Sequence, residues 1–436
     1  MMLVAFLNYL THEQTLLAQE NVVAGDPVES LSIEIPLNDP IFPAGTSLLT
    51  TRSIPSGSIP IVSPSKRQHL NQVSGFLDLH GVIGEPSKRE FLRSGRRLRV
   101  SDQNLLAFNN ITNHNGATLN NNAGIGNVFV AGDKRSSENL QLAVIHTLWM
   151  REFNRISDAY HDAFPTLNDD DVFNAAAAIT AAELQVITYR EVLPELLGCA
   201  SSPTPTSTLR SRTLLRRGIL HEFTAAFRTV GHTGVGCVVP LVNSVGVVTE
   251  LPLGTSLRNI PDRLLNGGFD DVVRGMISYK AADFDRFVVS SLRSLFVPNV
   301  ISRDLPALDI LRYSDVGAPS YQTIRIRLGL PVIASWSDLT TDSEIISGLH
   351  SLYGNQFDQI SPFAAMMIED DAPGSQLGQV ATLLIKQQYQ QLRASDPCHF
   401  EFIFNRRWIS ALKSVRWAGM FLPLFCCVTR LTLLCG

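Results

Sequence analysis

The sequence predicts a mainly α-helical chain, one large domain with a short β-hairpin and long wrapping loops, and three observations carry that prediction. Apolar residues recur at spacings of three and four through Leu142, Ile145, Trp149, Phe153, Ile156 and Tyr160, and again through Phe173, Ala176, Ile179, Leu184 and Ile187. Strand-like patterning is confined to Cys237 to Gly254, where Val238-Val239 and Val247-Val248 flank a turn at Asn243. From Pro27 to Ser65 the chain is rich in proline, glycine and serine with few periodic runs, which reads as an extended loop. The 436 residues, 45% hydrophobic and 17% charged, can bury a large core in one unit, although the length also allows two or three domains.

In chain order, residues 3 to 20 read as a helix with Leu3, Phe6, Leu10 and Leu17 on its apolar positions and His12 on its length. The clusters at 88 to 90 and 95 to 99 read as solvated basic surface, and 101 to 130 as an asparagine-rich loop with a glycosylation sequon at Asn110. Gly132 and Asp133 make a turn into the first long helix. Ser136 or Ser137 can cap that helix, which puts Glu138 in its first turn at the positive end of the dipole. Arg135 and Glu138 then stand side by side, and read alone they are an ion pair at a helix start. A second helix runs from about Asp169 to a break near Pro194. A third covers His221 to Gly236 with Phe223, Ala226, Phe227 and Val230 on its buried side, and Gly231 leaves room for a flat group beside His232. Further helices are expected around 269 to 280, 284 to 297, 342 to 353 and 375 to 394.

The net charge is -4 and no basic run exceeds a few residues, so no nucleic-acid partner is expected. Cys199, Cys237, Cys398, Cys426, Cys427 and Cys435 include no CxxC pair and match neither a zinc site nor a small disulfide framework. The start, MMLVAFLNYLTHEQ, has neither a basic n-region nor a small-residue cleavage site and is not read as a signal peptide. The apolar stretch from Trp417 contains Pro423 and Arg430, which penalise insertion, so no membrane contact is expected of it.

AGDKRSSE followed by HTLWMREFNRI resembles the signature of the animal-type haem peroxidases. The resemblance implies that Arg135 lies on the distal side of a haem and that Glu138 can be esterified to a haem methyl. FLNYLTHEQT falls where the family has GQxxDHD, which makes His12 the distal acid-base and sets Asn8, Thr11 and Glu13 in place of the glutamine and the two aspartates. Thr11 has no carboxyl for a second ester, and Asn139 stands where a sulfonium link needs methionine. Only the Glu138 link remains. Asn8 is shorter than the glutamine that shapes the family's distal pocket, which puts halide selectivity in question. LNQVSGFLDLHGVIG resembles the family's calcium loop and implies the Ser74 side chain, the Phe76 carbonyl, Asp78 and Glu13 as ligands. His80 replaces an oxygen-bearing serine there, so a turn with no metal stands as the alternative.

HEFTAAFRTVGHT resembles EFxxAAFRxGHT and implies His232 as the proximal iron ligand. Thr229 and Val230 stand where the family has one residue, which turns Arg228 by about 100° on a regular helix and leaves its place near the haem open. DLPALDILRYSDVGAPSY resembles a segment whose asparagine orients the proximal histidine; here Asp309 takes that place, and Arg312 matches the arginine that holds a haem propionate. A carboxylate there pulls the imidazole toward imidazolate and makes iron more electron-rich. The resemblance spans residues 1 to 401, with 402 to 436 a divergent tail or an aberrant end of the reading frame.

The function the resemblance implies is a peroxidase that uses haem b to reduce hydrogen peroxide and oxidises a small organic donor or a halide through a ferryl state, with His12 and Arg135 as catalytic residues. It also implies an extracellular location. Two rivals stand beside it. A fatty-acid dioxygenase of the same superfamily needs a tyrosine near the proximal histidine; none immediately precedes His232, while Tyr313 and Tyr321 follow later. A scaffold or adhesion protein could also retain the fold without the chemistry.

Overall fold

The central helix, Leu140–Ala163, positions everything else. Its buried stripe of Leu142, Ile145, Trp149, Phe153 and Ile156 is the one the spacing predicts, except that Tyr160 at its end is only half-buried. The computed structural model describes residues 1–17, 30–53, 69–113, 128–199, 218–295 and 303–403. The second long helix, Asp169–Ile187, packs along the first, with the Phe153 and Phe173 rings 4.8 Å apart between them. Asn168 caps it by accepting from the Asp171 N–H, and three aspartates fill its first turn. A π turn, Thr188–Val192, leads into Leu193–Leu197, where Pro194 supplies no N–H to an i−4 partner.

The start of the central helix differs from the expectation. Asn139, not Ser136 or Ser137, is the cap, its side chain accepting from Leu142 N–H at 2.8 Å. The Gly132-Asp133 turn continues through bonds from Ser136 N to Asp133 O and from Glu138 N to Arg135 O, so helical geometry begins later. Glu138 therefore precedes the cap.

The N-terminal helix ends at Gln14, short of residue 20. Asn71 stops it, donating to Gln14 O at 2.7 Å and accepting from Leu16 N at 2.8 Å. That helix packs against both the central helix and the third one, His221–Thr233. Part of the expected 27 to 65 loop is an antiparallel ribbon, Ser30–Glu34 with Ser47–Thr51, over a small cluster of Ile35, Phe42 and Leu48. Arg52 and Ser53 N–H fasten its end to Asp315 at 2.8 and 2.9 Å. The predicted hairpin is present as Val238–Val242 paired with Val248–Pro252.

Gly268–Ser278, Ser343–Tyr353 and Gln379–Ser395 match expected helices, but of 284 to 297 only Ser290–Arg293 is helical. The Asp285 side chain takes the Phe287 N–H at 2.7 Å, a local bond that competes with helix. The helix Leu305–Asp315, capped by Asp304, had no counterpart in the periodicity reading. The tail from residue 404, with Cys426, Cys427, Cys435 and the apolar stretch from Trp417, lies outside the described residues.

Candidate active site

Two histidines from distant parts of the chain, His12 and His232, anchor the two sides of the site on helices packed against each other. On the first side His12 is buried, and its Nε2 lies 3.2 Å from Glu138 Oε2. The Glu138 side chain is 54% exposed although protein surrounds it, as expected of a group facing a crevice. Crowding pushes its carboxyl up, but the His12 hydrogen bond and the His12 and Arg135 charges outweigh this and hold it below the usual range.

Arg135 does not pair with Glu138. Its Nε and Nη2 hold the fully buried Asp133 carboxylate at 2.9 and 2.7 Å, and Nη2 also donates to His12 O and Thr15 O at 3.1 and 2.9 Å. The guanidinium thus sits at the C-terminal end of the helix that carries His12, where a cation meets the negative end of the dipole. Its Nη1 has no hydrogen bond among the described residues. Burial raises the Asp133 carboxyl, but Arg135 overrides that and depresses it strongly. Asp133 is the residue the sequence reading missed, and its two-residue offset from Arg135 in a turn was the available signal.

The Gly132 turn has no room for a side chain: an added Cβ would lie 1.9 Å from His80 O and 2.4 Å from Gly84 N. Gly132→Ala is therefore expected to lose on the order of 3 kcal/mol, read as a lower midpoint in urea. An unchanged midpoint would mean that this turn can shift without loss.

Asn8 and Asn139, both departures from the family pattern, bond to each other: Asn139 Nδ2 donates to Asn8 Oδ1 at 3.2 Å. The cap of the central helix is thereby tied to the His12 helix.

Next to His12, Glu13 is wholly buried, accepting from Gly81 N at 2.7 Å and Tyr9 OH at 3.1 Å through Oε2, while Oε1 has no partner among the described residues. Burial and then the Asp78 charge push its carboxyl up to about 8. Ser74 Oγ accepts from Phe76 N, and Asp78 Oδ1 from His80 N, so both stand in the same loop. Among the described residues no group of three or more His, Cys, Asp and Glu side chains forms a metal cluster.

On the other side, His232 Nδ1 lies 2.7 Å from Asp309 Oδ2, and Arg228 Nη1 lies 3.1 Å from Asp309 Oδ1. The first contact is short but oblique, the oxygen lying off the ring N–H direction. Two residues between the arginine and the glycine put Arg228 one turn before His232 on the same helix face. The Asp309 carboxylate is 3% exposed; burial raises it, but His232 and Arg228 outweigh burial and hold it low. Arg312, one turn along, lines a small cavity with Arg228, Asp309 and Tyr313. Its Nε is buried without a partner among the described residues, and burial, then the Arg228 charge, pushes its guanidinium down to about 10. A buried cation in that state calls for an anion. Glu138 acts electrostatically on Arg312 from the other side of the site.

A mainly helical fold that sets a carboxylate-backed imidazole on one helix and a second imidazole on the neighbouring one, beside an arginine whose Nε has no partner among the described residues, fits the class of helical haem proteins. The chain belongs to the animal haem peroxidase family, whose model matches residues 1–422. It is 31% identical over 432 residues to a peroxidasin homolog of Mus musculus, covering 91% of this chain and 29% of that protein. To peroxinectin A of Dictyostelium discoideum it is 29% identical over 345 residues, covering 77% of this chain and 63% of the relative. The chain thus spans less than two thirds of either relative. Among solved structures, peroxidase A of Dictyostelium discoideum superposes with a TM-score of 0.82 at 25% identity, covering 98% of this chain and 84% of the other. A fatty acid alpha-dioxygenase of Oryza sativa gives 0.75 at 19% identity over 97% and 73%, a likeness of fold alone.

Proposed function

We propose that the protein is a haem-dependent peroxidase that reduces hydrogen peroxide at the expense of a small organic donor or a halide. The observation that carries this reading is the His232–Asp309 contact on one helix pair, with His12 on the helix packed against it and Arg135 in the turn that leads into the central helix. His232 would hold the iron, Asp309 would fix its ring, and Arg312, with its unpartnered Nε, would take a propionate. Haem, when bound, supplies the centre at which the peroxide bond is split and the oxidising equivalents are stored. His12 then takes a proton from the near oxygen of peroxide and returns it to the far one. Arg135 Nη1 steadies the charge that develops on the departing oxygen. Glu138 Oε2 now occupies His12 Nε2, the atom that proton transfer needs. A single ester through Glu138 would release it, which supports one covalent link.

The test is the spectrum of haem-reconstituted protein before and after peroxide, followed by turnover with a guaiacol-type donor. The dioxygenase alternative predicts oxygen uptake with an unsaturated fatty acid instead. Tyr313 lines the cavity beside Asp309, but its hydroxyl donates to Pro319 O at 3.2 Å, a bond a radical-forming tyrosine would have to give up. A folded protein that refuses haem would favour the scaffold alternative. The bonded state of Cys199 supports an extracellular, oxidising location.

Calcium at Glu13, Ser74, Phe76 and Asp78 is the second part of the proposal, supported by the unpartnered, buried Glu13 Oε1 beside the Asp78 charge. The sign of the pH dependence tests it. Without calcium, Glu13 is protonated in the fold up to about 8 but ionised in the unfolded chain above 4.5. Its contribution to stability is therefore full below 4.5 and declines as pH rises toward 8. Added calcium should raise Tm most at the alkaline end of that window and flatten the decline. A Tm indifferent to calcium at pH 8 would remove the metal from the scheme.

A further inference from the structure

On the haem reading above, we propose that Arg228 and Asp309 form a regulating pair behind His232, in which Arg228 limits how much electron density the carboxylate lends to the imidazole. Arg228 stands four residues before His232, on the same face of the helix, and each oxygen of one carboxylate serves one of the two partners, at 3.1 and 2.7 Å. The carboxylate is nearly inaccessible to water, so its charge is divided between these neighbours rather than screened. A carboxylate alone behind a ligating imidazole strengthens it as a donor and favours ferric iron. A guanidinium on the other oxygen draws charge the opposite way. The oblique approach of Oδ2 to the ring N–H fits a carboxylate held by two partners rather than aligned on one. Arg228 and Asp309 are thus positioning residues, acting on the iron only through His232.

The experiment uses the full chain reconstituted with haem and reads the ferrous iron–histidine stretch by resonance Raman together with the Fe(III)/Fe(II) midpoint potential. Arg228→Gln should raise the stretching frequency and shift the equilibrium about tenfold toward ferric iron, ~59 mV downward for one electron. Arg228→Lys should return both toward the parent values. Asp309→Asn should move both readings the other way by a similar factor, and Arg228→Gln added to it should leave the stretch where Asp309→Asn put it. A through-space charge effect would shift the potential but not the stretch. A stretch unmoved by Arg228→Gln, or moved equally with and without the carboxylate, overturns the proposal. If Asp309→Asn loses haem, the Gln and Lys variants at Arg228 still decide it. A parent protein that binds no haem overturns this inference and the peroxidase reading together, whereas a haem-bound parent with an insensitive stretch overturns this inference alone.

Discussion

His232→Ala is expected to abolish the Soret band of haem-reconstituted protein while leaving the fold intact. The fold should survive because the ring sits at the edge of a crevice, with 23% of the side chain exposed, and is not part of the close-packed core. Asp309 keeps Arg228 at 3.1 Å when the imidazole goes, so the substitution does not strand a buried charge, the usual cause of a large loss. Phe223, Phe227 and Val230, which seat the same helix, are untouched. The loss should therefore be one of ligation. Free imidazole should restore part of the band, since it can enter from the accessible side. A band of full intensity in folded His232→Ala protein would mean that another group holds the iron and would also detach Asp309 and Arg228 from the roles given them.

The parts of this site that were legible in the sequence are those held by helix periodicity and by long ordered motifs. The stripe of the central helix follows directly from spacing, and the His232 helix from its phenylalanines and its paired glycine and histidine. What spacing did not give were partnerships across the chain. Asp133 is two residues from Arg135, but nothing in its identity says that its carboxylate is inaccessible and takes the Nε–Nη2 edge of the guanidinium. Asn8 and Asn139 each looked like a loss when set against the family pattern. They are 131 positions apart and compensate for one another, which only the packing of two helices makes visible. The cap at Asn139 and the early end at Gln14 share a cause, since in both an asparagine side chain competes for main-chain groups better than the serines or the helix continuation do. The ribbon at Ser30–Glu34 alternates serine with leucine and isoleucine, a weak pattern that its proline- and glycine-rich surroundings concealed.

The second large effect should come from His12→Ala, a fall in peroxide turnover of roughly 10²- to 10⁴-fold with haem retained. The geometry makes this a clean substitution. Arg135 donates to the His12 carbonyl and not to its ring, so alanine removes the proton carrier and keeps the bond at 3.1 Å that anchors the guanidinium. Residual turnover then reports what Arg135 does alone. Asp133→Ala makes the contrast: it removes the carboxylate that fixes Arg135 at 2.7 Å and leaves a partly buried cation unpaired, so stability and turnover should fall together. Glu138→Gln separates the last variable, because the amide can still approach His12 Nε2 but can neither ionise nor form an ester. Its haem should be extractable by acidified solvent whether or not the parent's is. Haem-bound His12→Ala protein that turns over at the parent rate would take the proton transfer away from this residue. Peroxide cleavage would then have to depend on Arg135 and solvent, and the 3.2 Å contact with Glu138 would be structural.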